Sequence, residues 1–96
     1  MTLLEIVQAK RSEILRLAAS HGADNVRVFG SATRGEDTGD SDLDLLVTPG
    51  ADTSPWFPAG LIVDLEKLLG RKVDVVTEGS LHRLLRRRIL KEARPL

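Results

Sequence analysis

The first part of the chain carries apolar residues at helical spacing. Thr2 and Glu5 have the spacing of a capping box, in which a threonine and a glutamate three residues later bond each other's backbone amides. The pattern ends at Gly22, a residue that commonly follows the last turn of a helix. It predicts one helix over Leu3–His21. Its apolar positions are Leu3, Leu4, Val7, Ile14, Leu15 and Ala18.

Three short apolar runs further along the chain predict strands. The first covers Val26–Phe29. The polar segment Thr33–Ser41 contains two glycines and predicts a loop with room for one helical turn at its start. The second strand is predicted over Asp42–Thr48 and the third over Lys72–Thr77.

Two more helices complete the pattern. A stripe of apolar residues that ends at Gly70 predicts the second helix, and Ser80 is predicted to cap the last one. Asp64 falls on the opposite side of the second helix, where we expect a solvated side chain. The apolar stripes are Leu61, Leu65, Leu68 and Leu69 in the second helix and Leu81, Leu84, Leu85 and Ile89 in the last.

The order of these elements predicts the fold class. The second and third strands are joined through a helix, which favours a parallel pair with a right-handed crossover. The first and second strands are joined by a polar loop and could be antiparallel. We therefore expect a small α/β protein, a mixed β-sheet of about three strands packed with helices, as a single domain over residues 1–96.

Composition excludes several functional classes. The chain has no cysteine, which excludes disulfides, thiol catalysis and cysteine-bound zinc. No apolar run approaches the roughly 20 residues of a membrane span. The first residues lack the basic-then-apolar order of a signal peptide, so we expect a cytoplasmic protein that does not enter a membrane.

Charge is balanced overall but unevenly distributed. Between Glu36 and Glu66 there are eight acidic residues and no basic one, whereas nine basic and three acidic residues follow from Lys67 onward. The acidic part suits a cation site and the basic part suits an anion or a partner protein. Two differently solvated faces would give the same pattern.

Two carboxylates interrupt the apolar run of the second strand. Asp42 and Asp44 are separated by one residue, so the alternation of a strand points both side chains to one face. They would repel each other there unless a cation lay between them, and Mg²⁺ prefers such oxygen ligands. Asp42 alone could be a turn residue at the start of the strand, but Asp44 lies inside the run.

Asp74 repeats this feature among the valines of the third strand. If the third strand lies beside the second, Asp74 can face the same side as Asp42 and Asp44 and complete a three-carboxylate site for Mg²⁺. By itself Asp74 would also fit an exposed face at a sheet edge. The occurrence of all three favours the metal site.

A possible phosphate-binding turn follows the first strand. Gly30 lets the backbone approach a ligand closely, and Ser31 offers a hydroxyl and nearby backbone amides. Arg34, one helical turn later, adds a guanidinium that can bind phosphate. We call Gly30, Ser31 and Arg34 the phosphate cradle. A lone Gly-Ser pair would be an ordinary turn, but the aspartates that follow suit the Mg²⁺ of a nucleoside triphosphate.

The segment GSATRGEDTGDSDLD resembles the signature of the nucleotidyltransferase superfamily that includes DNA polymerase beta, in which Gly-Ser is followed after ten residues by Asp-x-Asp. Asp74 in KVDVVT matches the third carboxylate of that family. The resemblance covers essentially the whole chain and is greatest for the minimal nucleotidyltransferases, short stand-alone bacterial and archaeal members. It implies a polymerase beta-like nucleotidyltransferase fold.

The resemblance also implies a mechanism. The three aspartates would hold two Mg²⁺ ions, with Asp74 near the attacking hydroxyl. Gly30 and Ser31 would bind the β- and γ-phosphates of the nucleotide, which is expected to be ATP, and Arg34 would assist. An acceptor hydroxyl would attack the α-phosphate, and pyrophosphate would leave.

The resemblance further implies a protein partner. Family members of this size often act as antitoxins that transfer AMP to a tyrosine of a HEPN-domain ribonuclease toxin, so we expect a hetero-oligomer with such a toxin. The basic last helix would then be either a partner surface or a solvated face. Its basic residues, with the one beyond it, are Arg83, Arg86, Arg87, Arg88, Lys91 and Arg94.

Two alternatives remain open from the sequence. The chain could be a binding module that neutralises its partner by masking alone. It could also adenylylate a small molecule, although 96 residues supply no second domain for an acceptor pocket, and a homodimer would have to form one. The chain has no aromatic platform for bases, so direct binding to nucleic acid is not expected.

Overall fold

The computed structural model describes residues 2–96, which form helices and strands in alternation. In chain order the elements are α1 (Leu3–Ala9), α2 (Arg11–Ser20), β1 (Ala23–Phe29), α3 (Ser31–Arg34), β2 (Leu43–Pro49), α4 (Ala59–Leu69), β3 (Val73–Thr77), a 3₁₀ turn (Glu78–Ser80), α5 (Arg83–Glu92) and β4 (Arg94–Pro95). This order confirms the α/β class. None of the helices in residues 2–96 is long and apolar enough to cross a bilayer.

The strands form one mixed sheet in the order β3-β2-β1-β4. β2 and β3 are parallel, with α4 between them in the chain, and β1 is antiparallel to both β2 and β4. Both expected strand directions are therefore confirmed. The sequence does not predict β4, because a two-residue strand that includes a proline produces no apolar alternation. It pairs Arg94 with Val28 on the outer side of β1.

One face of the sheet packs against the helices and forms the core. Leu43, Leu45 and Val47 of β2 point to this face and are at most 1% exposed. Because strand side chains alternate, Asp44 and Leu46 point to the opposite face. The other buried members of the core cluster are Leu3, Val7, Ile14, Ala18, Ala23, Val26, Val28, Ala32, Leu61, Leu65, Val73 and Val75.

The predicted first helix is two helices, so the prediction of one continuous helix over Leu3–His21 is wrong. Lys10, with φ −107° and ψ 16°, interrupts the helix between α1 and α2. Residues 8–13 are exposed, so no core contact holds the chain in a single straight helix there. The capping box of Thr2 and Glu5 is present as predicted.

Strand boundaries also differ from the prediction. β1 begins at Ala23, three residues before its predicted start. The strand continues through Asn25, which has φ +49°, and its register with β2 shifts after Asp24, as in a β-bulge. The apolar pattern does not extend across this irregularity. β2 and β3 each begin one residue late, at Leu43 and Val73.

The cap of the last helix is His82 rather than Ser80. The His82 ring accepts a hydrogen bond from the backbone N–H of Leu84 at 3.2 Å. Ser80 instead belongs to the 3₁₀ turn, where its hydroxyl accepts from the N–H of Thr77 at 3.0 Å. The serine has the right chemistry for a cap, but the extended Leu81 places it outside α5.

The central position of β2 gives a test of the core. Leu45 is fully buried, so we expect Leu45→Ala to lower the free energy of unfolding by about 2–5 kcal/mol. Urea unfolding followed by circular dichroism measures this. Val63 of α4 is 48% exposed, and Val63→Ala, the matched control, should change stability little. Equal losses in both variants would contradict this description of the core.

Candidate active site

Strand pairing brings the predicted site residues to one end of the sheet. Asp44 on β2 is in register with Asp74 on the parallel strand β3 and with Phe29 on the antiparallel strand β1. Phe29 ends β1, so the chain turns at Gly30 directly beside Asp44. Asp42 lies just before β2. The three aspartates and the Gly-Ser turn therefore lie at the same end of the sheet.

Gly30 packs directly on the carboxylate of Asp44. Its φ of +82° lies in the region that favours glycine, and a Cβ at this position would collide with Oδ2 of Asp44. A side chain at this position would therefore have to displace the carboxylate of Asp44.

The turn after Gly30 is a four-residue helix, α3. Gly30 is its N-cap residue, and the carbonyl of Gly30 accepts hydrogen bonds from the N–H of Thr33 at 3.1 Å and from its hydroxyl at 2.8 Å. Gly35 ends the helix with φ +68°. The expected helical turn is present, but it begins at Ser31, two residues before the predicted loop.

Several hydrogen bonds hold the polar loop that precedes Asp42. The hydroxyl of Ser41 accepts from the N–H of Thr38 at 2.7 Å, and the Ser41 carbonyl accepts from Arg71 Nη1 at 3.4 Å. Asp37 accepts from the N–H of Leu3, the first residue of α1, at 2.9 Å. These bonds give the loop a defined path between α3 and the first aspartate.

Arg34 is engaged by two carboxylates. Its Nε donates to Glu36 at 2.6 Å and its Nη1 donates to Glu92 at 2.6 Å. Hydrogen bonds to Glu36 and Glu92 raise the pKa of Arg34 above its usual value. The guanidinium predicted to bind phosphate is therefore already matched by negative charge within the protein.

Asp44 is the electrostatic centre of the site. Burial raises the pKa of Asp44 to about 6, together with the charges of Asp74, Asp42 and, to a smaller extent, Glu92. Arg34 acts in the opposite direction. The like charges show that the carboxylates are close enough to repel each other.

Mg²⁺ fits the chemistry of this donor set. Carboxylates are the hard oxygen ligands that Mg²⁺ prefers. A bound cation would also relieve the repulsion between these carboxylates, which is one cause of the raised pKa of Asp44. Within residues 2–96, however, no three Asp, Glu or His side chains are gathered closely enough to hold an ion. Asp42 and Asp74 are exposed, so their side chains can turn toward Asp44.

Glu92, at the end of α5, is a residue of the site that the sequence does not predict. Its carboxylate accepts from the N–H of Gly30 at 3.0 Å and from Arg34 Nη1, and its side chain is 15% exposed. The available signal was that Glu92 is the only acidic residue in the strongly basic α5 segment. Its contact with Gly30, 62 residues away, depends on the path of α5 and could not be read from that signal.

Asp64 differs in part from its predicted role as a solvated residue. Its side chain is 41% exposed, but Oδ2 lies 2.7 Å from Nε2 of His21 at the end of α2. The pair links the C-terminal end of α2 to α4. It takes no part in the arrangement around Asp44.

Comparison with known proteins identifies the family. The family model described as a nucleotidyltransferase domain matches residues 7–96. The chain belongs to the nucleotidyltransferase family. This confirms the family resemblance and the expected class of enzyme, a nucleotidyltransferase.

Two relatives share most of this nucleotidyltransferase chain. MJ0435 of Methanocaldococcus jannaschii, provisionally named a protein adenylyltransferase, is 40% identical over 90 residues, covering 94% of this chain and 96% of the relative. The protein adenylyltransferase MntA of Thermococcus cleftensis is 36% identical over 92 residues, covering 96% of this chain and 93% of MntA.

Solved structures agree with the nucleotidyltransferase fold. A structure provisionally described as a minimal nucleotidyltransferase superposes with a TM-score of 0.84 at 49% identity, covering 97% of this chain and 95% of its own. A toxin–antitoxin structure with AMP-PNP superposes with a TM-score of 0.73 at 21% identity, covering 88% and 69%. This second likeness shows the fold alone.

Ionisation of Asp44 is expected to destabilise the folded nucleotidyltransferase. The pKa is about 6 in the folded chain and near its ordinary value of 3.8 when unfolded, so stability falls as pH rises from about 4 to 6. Above that range we expect Asp44→Asn to be more stable than wild type by about 1 kcal/mol, after allowance for solvent screening. The gain should disappear near pH 4.

Urea unfolding in EDTA at the two pH values measures this difference. Glu13→Gln, which removes an exposed carboxylate from α2, controls for the general loss of negative charge. If Asp44→Asn were the less stable protein at neutral pH, crowding of the carboxylates would not be the dominant effect at this position.

Proposed function

We propose that the chain transfers AMP from ATP to a hydroxyl group of a partner protein, and that this partner is a HEPN-domain toxin which the modification neutralises. The observation that carries the proposal is the position of Asp44, in register with Asp74 and beside Gly30, at the end of the sheet where Asp42 also lies. The names of the relatives support a protein acceptor, since two of them are described as protein adenylyltransferases. The pairing of MntA with HepT in solved toxin–antitoxin structures supports the type of partner.

The aspartates supply the metal-binding part of this proposal. Asp42, Asp44 and Asp74 would hold Mg²⁺, with room in the donor set for two ions. Bound by these carboxylates, Mg²⁺ would supply positive charge to offset the charge that develops on the phosphate oxygens and would make the acceptor hydroxyl more reactive. The chain contributes the fixed spacing of β2 and β3, which keeps Asp44 and Asp74 side by side.

The phosphate cradle would position the nucleotide. Ser31 and the amides around it would bind the β- and γ-phosphates, leaving the α-phosphate near Asp44. The acceptor oxygen then forms a bond to the α-phosphorus, and the bond to the β-phosphate oxygen breaks as pyrophosphate leaves. Asp74, which is exposed, would receive the proton of the acceptor hydroxyl.

The last helix would contact the partner. α5 contains no buried residue, and its Leu84 and Leu85 are 77% and 50% exposed. Apolar residues surrounded by arginines are typical of a protein interface, where a buried apolar centre has a polar rim. Because Glu92 of the same helix reaches Gly30, a partner on α5 would lie beside the phosphate cradle.

The proposed reaction belongs in the cytoplasm, the compartment that supplies ATP, and uses residues 1–96 as one domain. Masking of the partner without chemistry remains the second candidate, because the exposed face of α5 would serve either activity. The two candidate functions differ in whether neutralising the partner requires the aspartates.

Label transfer tests the reaction. With Mg²⁺, the HEPN partner and ATP labelled at the α-phosphate, we expect label on the partner, whereas ATP labelled at the γ-phosphate should transfer none. Asp42→Asn/Asp44→Asn should lower transfer by at least about 100-fold, because it removes two carboxylates from the proposed metal site. Mass spectrometry of the partner identifies the modified side chain.

The same double variant separates the two candidate functions. If it forms the complex and neutralises the toxin as well as wild type does, masking is sufficient and the enzymatic proposal is wrong. Glu13→Gln serves as the charge control in both assays, since Glu13 is exposed on α2.

Charge placed on the apolar face of α5 tests the interface. Leu84→Glu should weaken binding to the partner by at least about tenfold, because it places a carboxylate in the apolar centre of the contact. Val63→Glu alters another exposed apolar residue, on α4, and should leave the affinity near wild type. Surface plasmon resonance with the purified partner measures both. Equal affinity of Leu84→Glu and wild type would exclude this face.

A further inference from the structure

The phosphate cradle already holds a carboxylate from elsewhere in the chain. One oxygen of Glu92 accepts the backbone N–H of Gly30 at 3.0 Å, and the other accepts Arg34 Nη1 at 2.6 Å. A backbone amide and a guanidinium are the donors that a phosphate group would use. Glu92 therefore occupies, within the protein, two of the phosphate donors of the cradle, the Gly30 amide and the Arg34 guanidinium.

Charge at the cradle opposes nucleotide entry in this arrangement. Arg34 is matched by both Glu36 and Glu92, so no net positive charge remains at its guanidinium. Glu92 also adds to the negative charge that acts on Asp44. A triphosphate would meet carboxylates on both sides, and the donors it needs would be in use.

Glu92 is held firmly but lies at the edge of a cavity. Burial raises its pKa, but the hydrogen bonds from Arg34 and Gly30 outweigh burial and leave the pKa below its usual value. The side chain lines a cavity of about 210 Å³ between α5 and the cradle, together with Phe29 and Leu85. The carboxylate therefore has space beside it into which it can move.

Arg88 offers an alternative position for the same carboxylate. It precedes Glu92 by four residues on α5, the spacing at which opposite charges meet on a helix surface. Arg88 lines the same cavity, and its charge already acts on Glu92. A change of the Glu92 side-chain rotamer would break its hydrogen bonds with Gly30 and Arg34 and bring its carboxylate to Arg88 instead.

We propose that the Glu92 carboxylate occupies the position of a nucleotide phosphate and keeps the phosphate cradle closed until it moves to Arg88. This inference rests on the proposed function, because it takes Gly30, Ser31 and Arg34 as the phosphate-binding residues. The open state admits the nucleotide, and the closed state lowers its apparent affinity by the fraction of molecules that are open. α5 also carries the exposed Leu84 and Leu85. A partner that bound these residues would contact the helix that holds Glu92, and could therefore shift the balance between the open and closed states.

Binding of nucleotide without the partner tests the closed state. The probe is a non-hydrolysable ATP analogue with Mg²⁺, and the affinity is measured by isothermal titration calorimetry on the full chain. Glu92→Ala should bind the analogue at least about fivefold more tightly than wild type, because the closed state is lost. Glu92→Gln keeps the shape of the side chain and removes its charge, so it should also bind more tightly, by a smaller factor.

Two variants act as controls. Glu13→Gln removes an exposed carboxylate from α2 and should bind as wild type does. Arg88→Gln should weaken binding about twofold or more in the presence of Glu92 and have no effect in the Glu92→Ala background. An equal loss in both backgrounds would overturn the role of Arg88 as the alternative position, since it would then act on the nucleotide directly.

The results separate this inference from the proposed function. If both Glu92 variants unfold cooperatively yet bind the analogue no more tightly than wild type, Glu92 does not close the cradle, whereas the transferase proposal stands. If wild type and both Glu92 variants all fail to bind the analogue, the nucleotide site itself is wrong and both proposals fail.

Discussion

The register of β1, β2 and β3 is the constraint on which the site depends. It places Asp44 between the end of β1 and Asp74 of β3, so a strand, a turn and a neighbouring strand converge on one carboxylate. A slip of one residue would turn Asp44 into the core and Leu45 out of it. Because Leu43, Leu45 and Val47 are almost completely buried, the apolar alternation that forms the core also fixes where the carboxylates point.

The features that follow from local pattern could be predicted from the sequence. The capping box comes from the spacing of residues near one another in the chain. The parallel pair β2 and β3 follows from the helix that connects them, and the shared face of Asp44 and Asp74 follows from strand alternation once those strands are neighbours. The break at Lys10 could not, because the exposed residues 8–13 form no apolar pattern that distinguishes one helix from two. The bulge at Asn25 could not, because the pairing of β1 with β2 decides it. Glu92 lies beyond sequence reasoning for the same reason, since its partners are about sixty residues away.

The end of the sheet concentrates charge of one sign at a cost to stability. Asp44 is crowded by other carboxylates, while Arg34 is engaged twice. Such an arrangement is unfavourable for folding alone and is typical of sites where the missing attraction comes from a bound cation and substrate. The stable part of the molecule is the opposite face, where aliphatic residues pack against α2 and α4. The end of the sheet around Asp44 and the face that packs against the helices thus have opposite physical requirements.

Gly30 makes the backbone itself a part of the geometry around Asp44. Since a Cβ at this position would meet Oδ2 of Asp44, the residue that would have to give way is the central carboxylate. A chain could therefore keep every acidic residue of the motif and still lose the arrangement through a single methyl group. A related chain that kept the aspartates but carried a larger residue in place of Gly30 is therefore expected to lose this arrangement, so the glycine has to be considered together with the aspartates.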